Sequence, residues 1–132
     1  MLTGLNHLTL AVSDVARSWE FYTELLGFIP KAKWNTGAYL SLGELWLCLS
    51  LGTVDEKIDY THYAFSVSPD AFTPLVMQLR SRNVVEWKIN KSEGEPLYFC
   101  DPDGHKLEIH SGDLASRLDY CRHHPYAGME LY

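Results

Sequence analysis

No disulfide framework is written into this chain. Its three cysteines, Cys48, Cys100 and Cys121, are odd in number and widely spaced, and no CxxC pair of the kind that holds zinc occurs. Reduced thiols in a cytoplasmic protein are the expectation. Positive charge is also scarce. Eleven Lys and Arg stand against 17 Asp and Glu, for a net charge of −6 and a pI near 5.4. Nucleic acid and anionic membrane both attract a basic face, so neither is expected as a partner. A local basic pocket for a small anion is not excluded. No apolar run approaches the length of a membrane span. The opening Met1-Leu2-Thr3-Gly4 has no basic or apolar leader character, so no signal peptide is expected. What is present is a 132-residue chain, rich in aromatics and near average in apolar content. That suits one compact unit or two small halves sharing a core.

The chain reads as one pattern written twice. Leu5–Asp14 is a β-rich run ending at a Ser-Asp helix start. Val15, Trp19, Tyr22 and Leu26 then fall at helical spacing, with Gly27 as the stop. Extended segments follow at Ile29–Trp34, Gly37–Leu42 and Leu45–Ser50, the last two joined through Gly43-Glu44 as a hairpin. The second copy opens with Tyr60–Ser68. An apolar helical face follows at Phe72, Leu75, Val76 and Leu79, and the proline rule places the helix start at Thr73 with Pro74 as first residue. Extended segments at Val84–Ile89, Leu97–Cys100 and Lys106–Ser111 complete it, with Asp101-Pro102-Asp103-Gly104 as a turn. The expected fold is α+β: paired βαβββ modules, about 1–51 and 59–112, within a single domain spanning 1–132. A short helix over Asp113–Arg122 and an extended end at His123–Tyr132 form the tail. Neither half has enough strands to close a barrel, so two curved sheets would make an open cup, a shape that small proteins complete by pairing two chains.

His7 and His62 land at the same place in the two copies. A single histidine in an apolar strand is more often a core or surface residue than a ligand, and His7 alone would carry no more than that. The repeat match evens the odds. Glu108 tips them, because a carboxylate within the apolar run Leu107-Glu108-Ile109 needs a cation or donors to offset its desolvation. Aligning Gly43 with Gly104 puts Leu47 opposite Glu108, giving three ligand-type positions and one apolar one. Two imidazoles and a carboxylate with open coordination describe a catalytic metal site. His105 reads as a solvated loop residue, His110 as a neighbour of the ligands or filler, and His123 and His124 as surface. Lys88, Ser92 and Tyr98 around the polar loop 88–96 offer donors for an anion, and carbonyls near Gly94 a seat for a monovalent cation. On composition alone an ordinary solvated hairpin is the better reading of that loop. Arg117 reads as a surface charge. Trp34, Tyr39 and Trp46 read as core or hairpin aromatics.

The opening Leu5-Asn6-His7-Leu8-Thr9-Leu10-Ala11-Val12 resembles that of the vicinal-oxygen-chelate superfamily. Several further segments are more specific: Gly37-Ala38-Tyr39-Leu40, Leu45–Ser50, Asp59-Tyr60-Thr61-His62-Tyr63-Ala64-Phe65, Lys91-Ser92-Glu93-Gly94, Asp101–Glu108 and Pro125-Tyr126-Ala127-Gly128-Met129. Together they resemble the fosfomycin-resistance glutathione transferases from Met1 to about Met129. The resemblance implies a domain-swapped homodimer whose metal cups are each built from two chains, with His7 from one and His62 and Glu108 from the other. It implies Mn²⁺ as the metal, K⁺ as activator, and fosfomycin and glutathione as substrates. Thr9, Lys88, Ser92, Tyr98 and Arg117 match the family's substrate contacts, with Tyr60 beside them. Tyr39 and Trp46 match its glutathione side, and Asn90, Ser92 and Gly94 its potassium loop. Pro96 departs from the pattern: the family commonly has a serine there that helps bind potassium, which puts the completeness of the K⁺ site in question.

Four rival functions fit the same frame. A metal-dependent epoxide hydrolase needs a general base, and Gly37 stands where related hydrolases carry a Glu. A bacillithiol-using relative differs only in its thiol. A dioxygenase or isomerase would use Fe²⁺, Zn²⁺ or Ni²⁺ on a similar triad. The non-enzyme alternative is an antibiotic-sequestering module of the same fold, which typically lacks the triad.

Overall fold

A computed structural model describes residues 1–89 and 96–132. Two four-stranded sheets and three helices follow one order twice. The first module is β1 (His7–Val12), α1 (Val15–Glu20), β2 (Ile29–Trp34), β3 (Gly37–Leu42) and β4 (Leu45–Leu51). The second is β5 (Tyr63–Ser66), α2 (Pro69–Ser81), β6 (Glu86–Lys88), β7 (Leu97–Cys100) and β8 (Lys106–His110), and α3 (Leu114–His123) follows it. The sheet orders are β1-β4-β3-β2 and β5-β8-β7-β6. In each, the first strand runs parallel to the last and the remaining neighbours are antiparallel. The α+β duplication expected from the sequence is therefore the observed architecture.

Strand side chains alternate between faces, and the burial follows that alternation. Leu10, Val12, Ala38, Leu40, Leu47 and Leu49 of the first sheet join Leu97, Phe99, Leu107 and Ile109 of the second in one hydrophobic core. The intervening residues face the other way. His7, Thr9, Tyr39 and Trp46 are exposed, and Cys48, Tyr98 and His110 half-buried. Each sheet thus turns its functional face away from the core the two sheets share.

Asp14 caps α1 by accepting from the Arg17 N–H at 3.0 Å. The helix then widens to a π turn over Phe21–Leu25, and Gly27 ends it in the left-handed region at φ 80°. The widened turn sends Tyr22 inward, where its ring meets Phe28 edge-on at 5.3 Å and is fully buried. Gly43 takes φ 55° in the two-residue hairpin turn between β3 and β4.

Four expectations are corrected. First, α2 does not start at Thr73: Ser68 is its N-cap and Pro69 opens it, leaving Pro74 inside. Pro74 is exposed and lies near the helix start, so water can satisfy the freed Asp70 carbonyl. The buried face built on Leu79 and its neighbours Phe72, Leu75 and Val76 outweighs the lost bond. Second, the end after α3 is not extended throughout: it holds a turn in which the Met129 N–H donates to the Tyr126 carbonyl at 3.0 Å. Third, His105 is not solvated: it is 3% exposed, and its Nε2 lies 2.7 Å from the Ala11 carbonyl.

Fourth, the residue matching Glu108 is Cys48, not Leu47. In the first sheet Thr9 pairs with Cys48, and in the second Ala64 pairs with Glu108. Aligning the glycines failed because the two turns differ in length. Leu42 pairs with Leu45 across Gly43-Glu44, whereas Cys100 pairs with Lys106 across the longer Asp101–His105 loop. A one-residue offset moves a side chain to the opposite face, and Leu47 lies fully buried in the core.

Candidate active site

On the second sheet, His62 stands just before β5, on the face that carries Ala64 and Glu108. Its Nδ1 lies 2.8 Å from the Tyr60 carbonyl. A carbonyl only accepts, so Nδ1 carries the proton and Nε2 presents a lone pair. That Nε2 faces Glu108 Oε1 at 3.0 Å. Glu108 is only 7% exposed. Two acceptors at this separation, one on a buried carboxylate, require a cation between them: a second proton on the ring or a metal ion. His110 Nδ1 approaches the other carboxylate oxygen, Oε2, at 2.7 Å.

Aromatic rings wall this group. Trp87 donates its indole N–H to the Leu107 carbonyl at 3.0 Å, which fixes the ring. It packs against Tyr60, His62 and Tyr98 with centroids 5.6, 5.3 and 5.0 Å away. Lys88 Nζ donates to the Tyr60 hydroxyl at 2.6 Å and lies 4.5 Å from the centre of the Tyr98 ring. The Tyr60 contact, above all, holds the Lys88 pKa above its ordinary value. Burial, and then the Glu108 carboxylate, raise that of Tyr98. Near neutral pH the pair therefore offers an ammonium and a phenolic O–H, both donors to an anion. Beyond His110, a cavity of about 330 Å³ runs to α3, with Arg117 and Tyr120 on its wall and Pro96 at its edge.

On the first sheet, His7 repeats the His62 arrangement. Its Nδ1 lies 2.7 Å from Asn6 Oδ1, leaving Nε2 outward, and its ring sits 4.6 Å from Trp46. Trp46 meets Tyr39 edge-on at 5.2 Å, and Tyr39 meets Trp34 at 4.7 Å. Thr9 shares the exposed face and pairs with Cys48 on β4. Of the two readings offered for Trp34, Tyr39 and Trp46, core or hairpin, the hairpin one holds: they are exposed on β2, β3 and β4.

The structure thus gathers Tyr60, His62, Lys88, Tyr98 and Glu108 on one sheet, and His7, Thr9, Tyr39 and Trp46 on the other. It does not join the two groups in one chain: among the described residues, no three His, Cys, Asp or Glu side chains are arranged to hold a metal ion. Asn90, Ser92 and Gly94 of the expected potassium loop lie outside the described residues. Trp87 and Cys48 were not singled out from sequence. Trp87 has no motif of its own, and the register that places Cys48 depends on turn length. Among the described residues no helix is long and apolar enough to cross a membrane.

The two imidazoles with Nδ1 anchored, one with its Nε2 against the buried Glu108 carboxylate, suit a divalent ion in donor type. Comparison with known proteins agrees with this chemistry. Glutathione transferase FosA of Serratia marcescens is 56% identical over 134 residues, covering 98% of this chain and 95% of the relative. Metallothiol transferase FosB of Staphylococcus epidermidis is 38% identical, over 92% of this chain and 93% of its own. Among solved structures, the fosfomycin resistance protein FosX of Listeria monocytogenes complexed with Mn(II) and sulfate matches with a TM-score of 0.81. It is 25% identical, over 91% of this chain and 98% of that one. The duplicated βαβββ frame and its paired histidines fall within residues 4–109, the stretch matched by the family model, and the chain belongs to the Glyoxalase/Bleomycin resistance protein/Dioxygenase superfamily.

Proposed function

We propose that this protein is a fosfomycin-inactivating thiol transferase, which adds the sulfur of glutathione to the epoxide of fosfomycin with a divalent ion, Mn²⁺, in the His7–His62–Glu108 seat. The observation that carries the metal reading is the approach of His62 Nε2 to a buried Glu108 oxygen at 3.0 Å while His62 Nδ1 lies against the Tyr60 carbonyl. The relatives' names, a glutathione transferase and a metallothiol transferase, support the reaction class.

A divalent ion in this seat supplies Lewis-acid stabilisation of the charge that develops on the epoxide oxygen. The chain's own groups do the rest. Lys88, Tyr98 and Arg117 bind the phosphonate, which orients the ring for attack from behind. Thr9, on the His7 face, hydrogen-bonds the opening oxygen through its hydroxyl and keeps its own proton. Tyr39 stabilises the incoming thiolate with its phenolic O–H, and Trp46 beside it forms the wall of the thiol channel. No protein cysteine acts as nucleophile. The family resemblance would seat K⁺ at Asn90, Ser92 and Gly94, which lie outside the described residues, where it would add countercharge to the phosphonate; Pro96 departs from that pattern.

A homodimer completes the site in this reading. His7 of one copy meets His62 and Glu108 of a second, which accounts for two functional faces that both point away from the chain's own core. The exposed aromatic row Trp34, Tyr39 and Trp46 is the sort of surface that a partner covers.

The test mixes protein, Mn²⁺, fosfomycin and glutathione and looks for the adduct by mass spectrometry. The expected product carries the glutathione mass; hydrolysis without thiol would favour the hydrolase, and Gly37 supplies no base for that route. With the metal shown to be bound, absence of any product sinks the transferase assignment. Incorporation of bacillithiol in preference to glutathione would shift only the thiol.

A further inference from the structure

Glu108 and His110 lie two residues apart on one face of β8, and their side chains touch. Glu108 has two oxygens with different partners: Oε1 faces His62 Nε2 at 3.0 Å, and Oε2 meets His110 Nδ1 at 2.7 Å. An ionised carboxylate only accepts, so His110 supplies the proton of the second contact. The two contacts together fix the orientation of the carboxylate, and the His110 contact is the one that holds Oε2.

The His110 ring is itself seated. A Cβ at Gly112 would lie 2.9 Å from His110 Nε2, 3.2 Å from its Cδ2 and 3.4 Å from Ser116 Oγ. The Gly112 backbone is not in the left-handed region, so glycine is needed there for room and not for its dihedrals. The far wall of that space is rigid. Asp113 and Ser116 close a reciprocal capping box at the start of α3, in which the Ser116 N–H donates to Asp113 Oδ1 at 2.8 Å and the Asp113 N–H donates to Ser116 Oγ at 3.0 Å. The ring lies between the carboxylate and Gly112, with its remaining edge on the cavity.

We propose that His110, seated by the absent side chain of Gly112, is a positioning residue that holds the Glu108 carboxylate with Oε1 turned toward the cation seat. This rests on the metal reading above. Groups that hydrogen-bond a ligating side chain typically change metal affinity by about 10- to 100-fold when removed.

The experiment measures Mn²⁺ binding to the purified, substrate-free protein by electron paramagnetic resonance, for wild type, His110→Ala, His110→Gln, Gly112→Ala and the His110→Ala/Gly112→Ala double variant. His110→Ala is expected to weaken Mn²⁺ binding by about 10- to 100-fold. His110→Gln, which keeps an N–H donor, is expected to recover part of that loss. Gly112→Ala is expected to weaken binding by crowding the ring, and to add nothing once the ring is gone, because two changes acting through one contact are not additive. Should His110→Ala fail to fold, Gly112→Ala carries the test, since it removes no hydrogen-bonding group. Wild-type affinity in His110→Ala, or in Gly112→Ala where the former does not fold, overturns the proposal and leaves the metal reading standing. Failure of the wild type itself to bind Mn²⁺ overturns both.

Discussion

The Tyr22 hydroxyl donates to Asp101 Oδ2 at 2.7 Å, tying the π turn of the first module to the turn before β8 of the second. Both residues are shut from water, at 0% and 4% exposure. The same turn grips the β1–α1 segment through two more residues. His105 reaches the Ala11 carbonyl at 2.7 Å, and Asp103 accepts from the Ser13 N–H at 3.1 Å and from Arg17 at 3.3 Å. Because β1 is an edge strand of its sheet, these bonds occupy groups that no neighbouring strand takes.

Tyr22→Phe removes one donor from a buried carboxylate and leaves the shape almost unchanged. The expected cost is about 1–3 kcal/mol, the range for a buried polar group left short of a partner, measured by urea unfolding near neutral pH. Burial already holds the Asp101 pKa above its ordinary value, against the downward pull of Tyr22 and of the His105 and Asp103 amides. A raised folded pKa contributes stability that is fully present below the ordinary carboxylate value and is lost as pH rises through the folded one. Without Tyr22 the folded pKa rises further. The Tyr22→Phe penalty should therefore be larger at neutral pH than at pH values where Asp101 is protonated in both proteins. An equal penalty at both would mean that the hydroxyl does not act through the Asp101 charge.

The sheets were legible in the chain because their cues are local. Alternating apolar residues in Leu8-Thr9-Leu10 and Leu47-Cys48-Leu49 fixed the faces, and Gly43-Glu44 fixed a hairpin. The ligand-type residues His7, His62 and Glu108 stood out because repeat position and burial are both pattern-level signals. What was not legible depended on distant partners. His105 looks like a turn residue until its bond to Ala11, 94 positions earlier, is seen. Cys48 was displaced by one place because nothing local says that the second module's turn is longer. Pro74 looked like a helix start because the proline rule is local, while the apolar face that overrides it belongs to the whole core.

Metal binding should appear as stabilisation. An ion that binds only the folded protein adds about 2.7 kcal/mol when its free concentration is 100 times Kd, so Mn²⁺ should raise the melting temperature of the wild type. His62→Ala removes the nitrogen that faces Glu108 and should abolish both the shift and turnover. The metal-free His62→Ala protein should still melt cooperatively, since His62 is half-buried at the edge of the core rather than within it. A full Mn²⁺ shift in that variant would remove His62 from the ligand set.

In the proposed reaction Lys88 binds the phosphonate. Its bond to the Tyr60 hydroxyl keeps the ammonium protonated through the neutral range. Lys88→Met keeps the stem and deletes the charge. The expected result is a kcat/KM for fosfomycin lowered roughly tenfold to a hundredfold, the range for a charge-assisted hydrogen bond, with the KM for glutathione little changed. Tyr60→Phe should give a smaller loss in the same direction, since it frees the ammonium without removing it. Equal effects on both substrates would show that Lys88 supports the site's structure rather than the anion.

Helix α3 carries Arg117 beside the cavity that begins at His110. Asp113 accepts from the Ser116 N–H, and that bond, first among its causes, holds the Asp113 pKa below its ordinary value. A lowered folded pKa contributes stability present above the ordinary carboxylate value and lost as pH falls through the folded one. Acidification should therefore fray the start of α3 in the wild type, and Asp113→Ala should fray it at every pH. Because Arg117 N–H donates to the Asp113 carbonyl at 3.1 Å, the guanidinium sits only one turn from this cap. Fraying there should raise the KM for fosfomycin more than it lowers kcat. The check is steady-state kinetics on Asp113→Ala and Asp113→Asn at neutral pH, with the Asn variant, which also accepts from an N–H, expected to stay close to wild type. An Asn variant as impaired as the Ala variant would show that the Asp113 charge itself, and not the cap, serves the site.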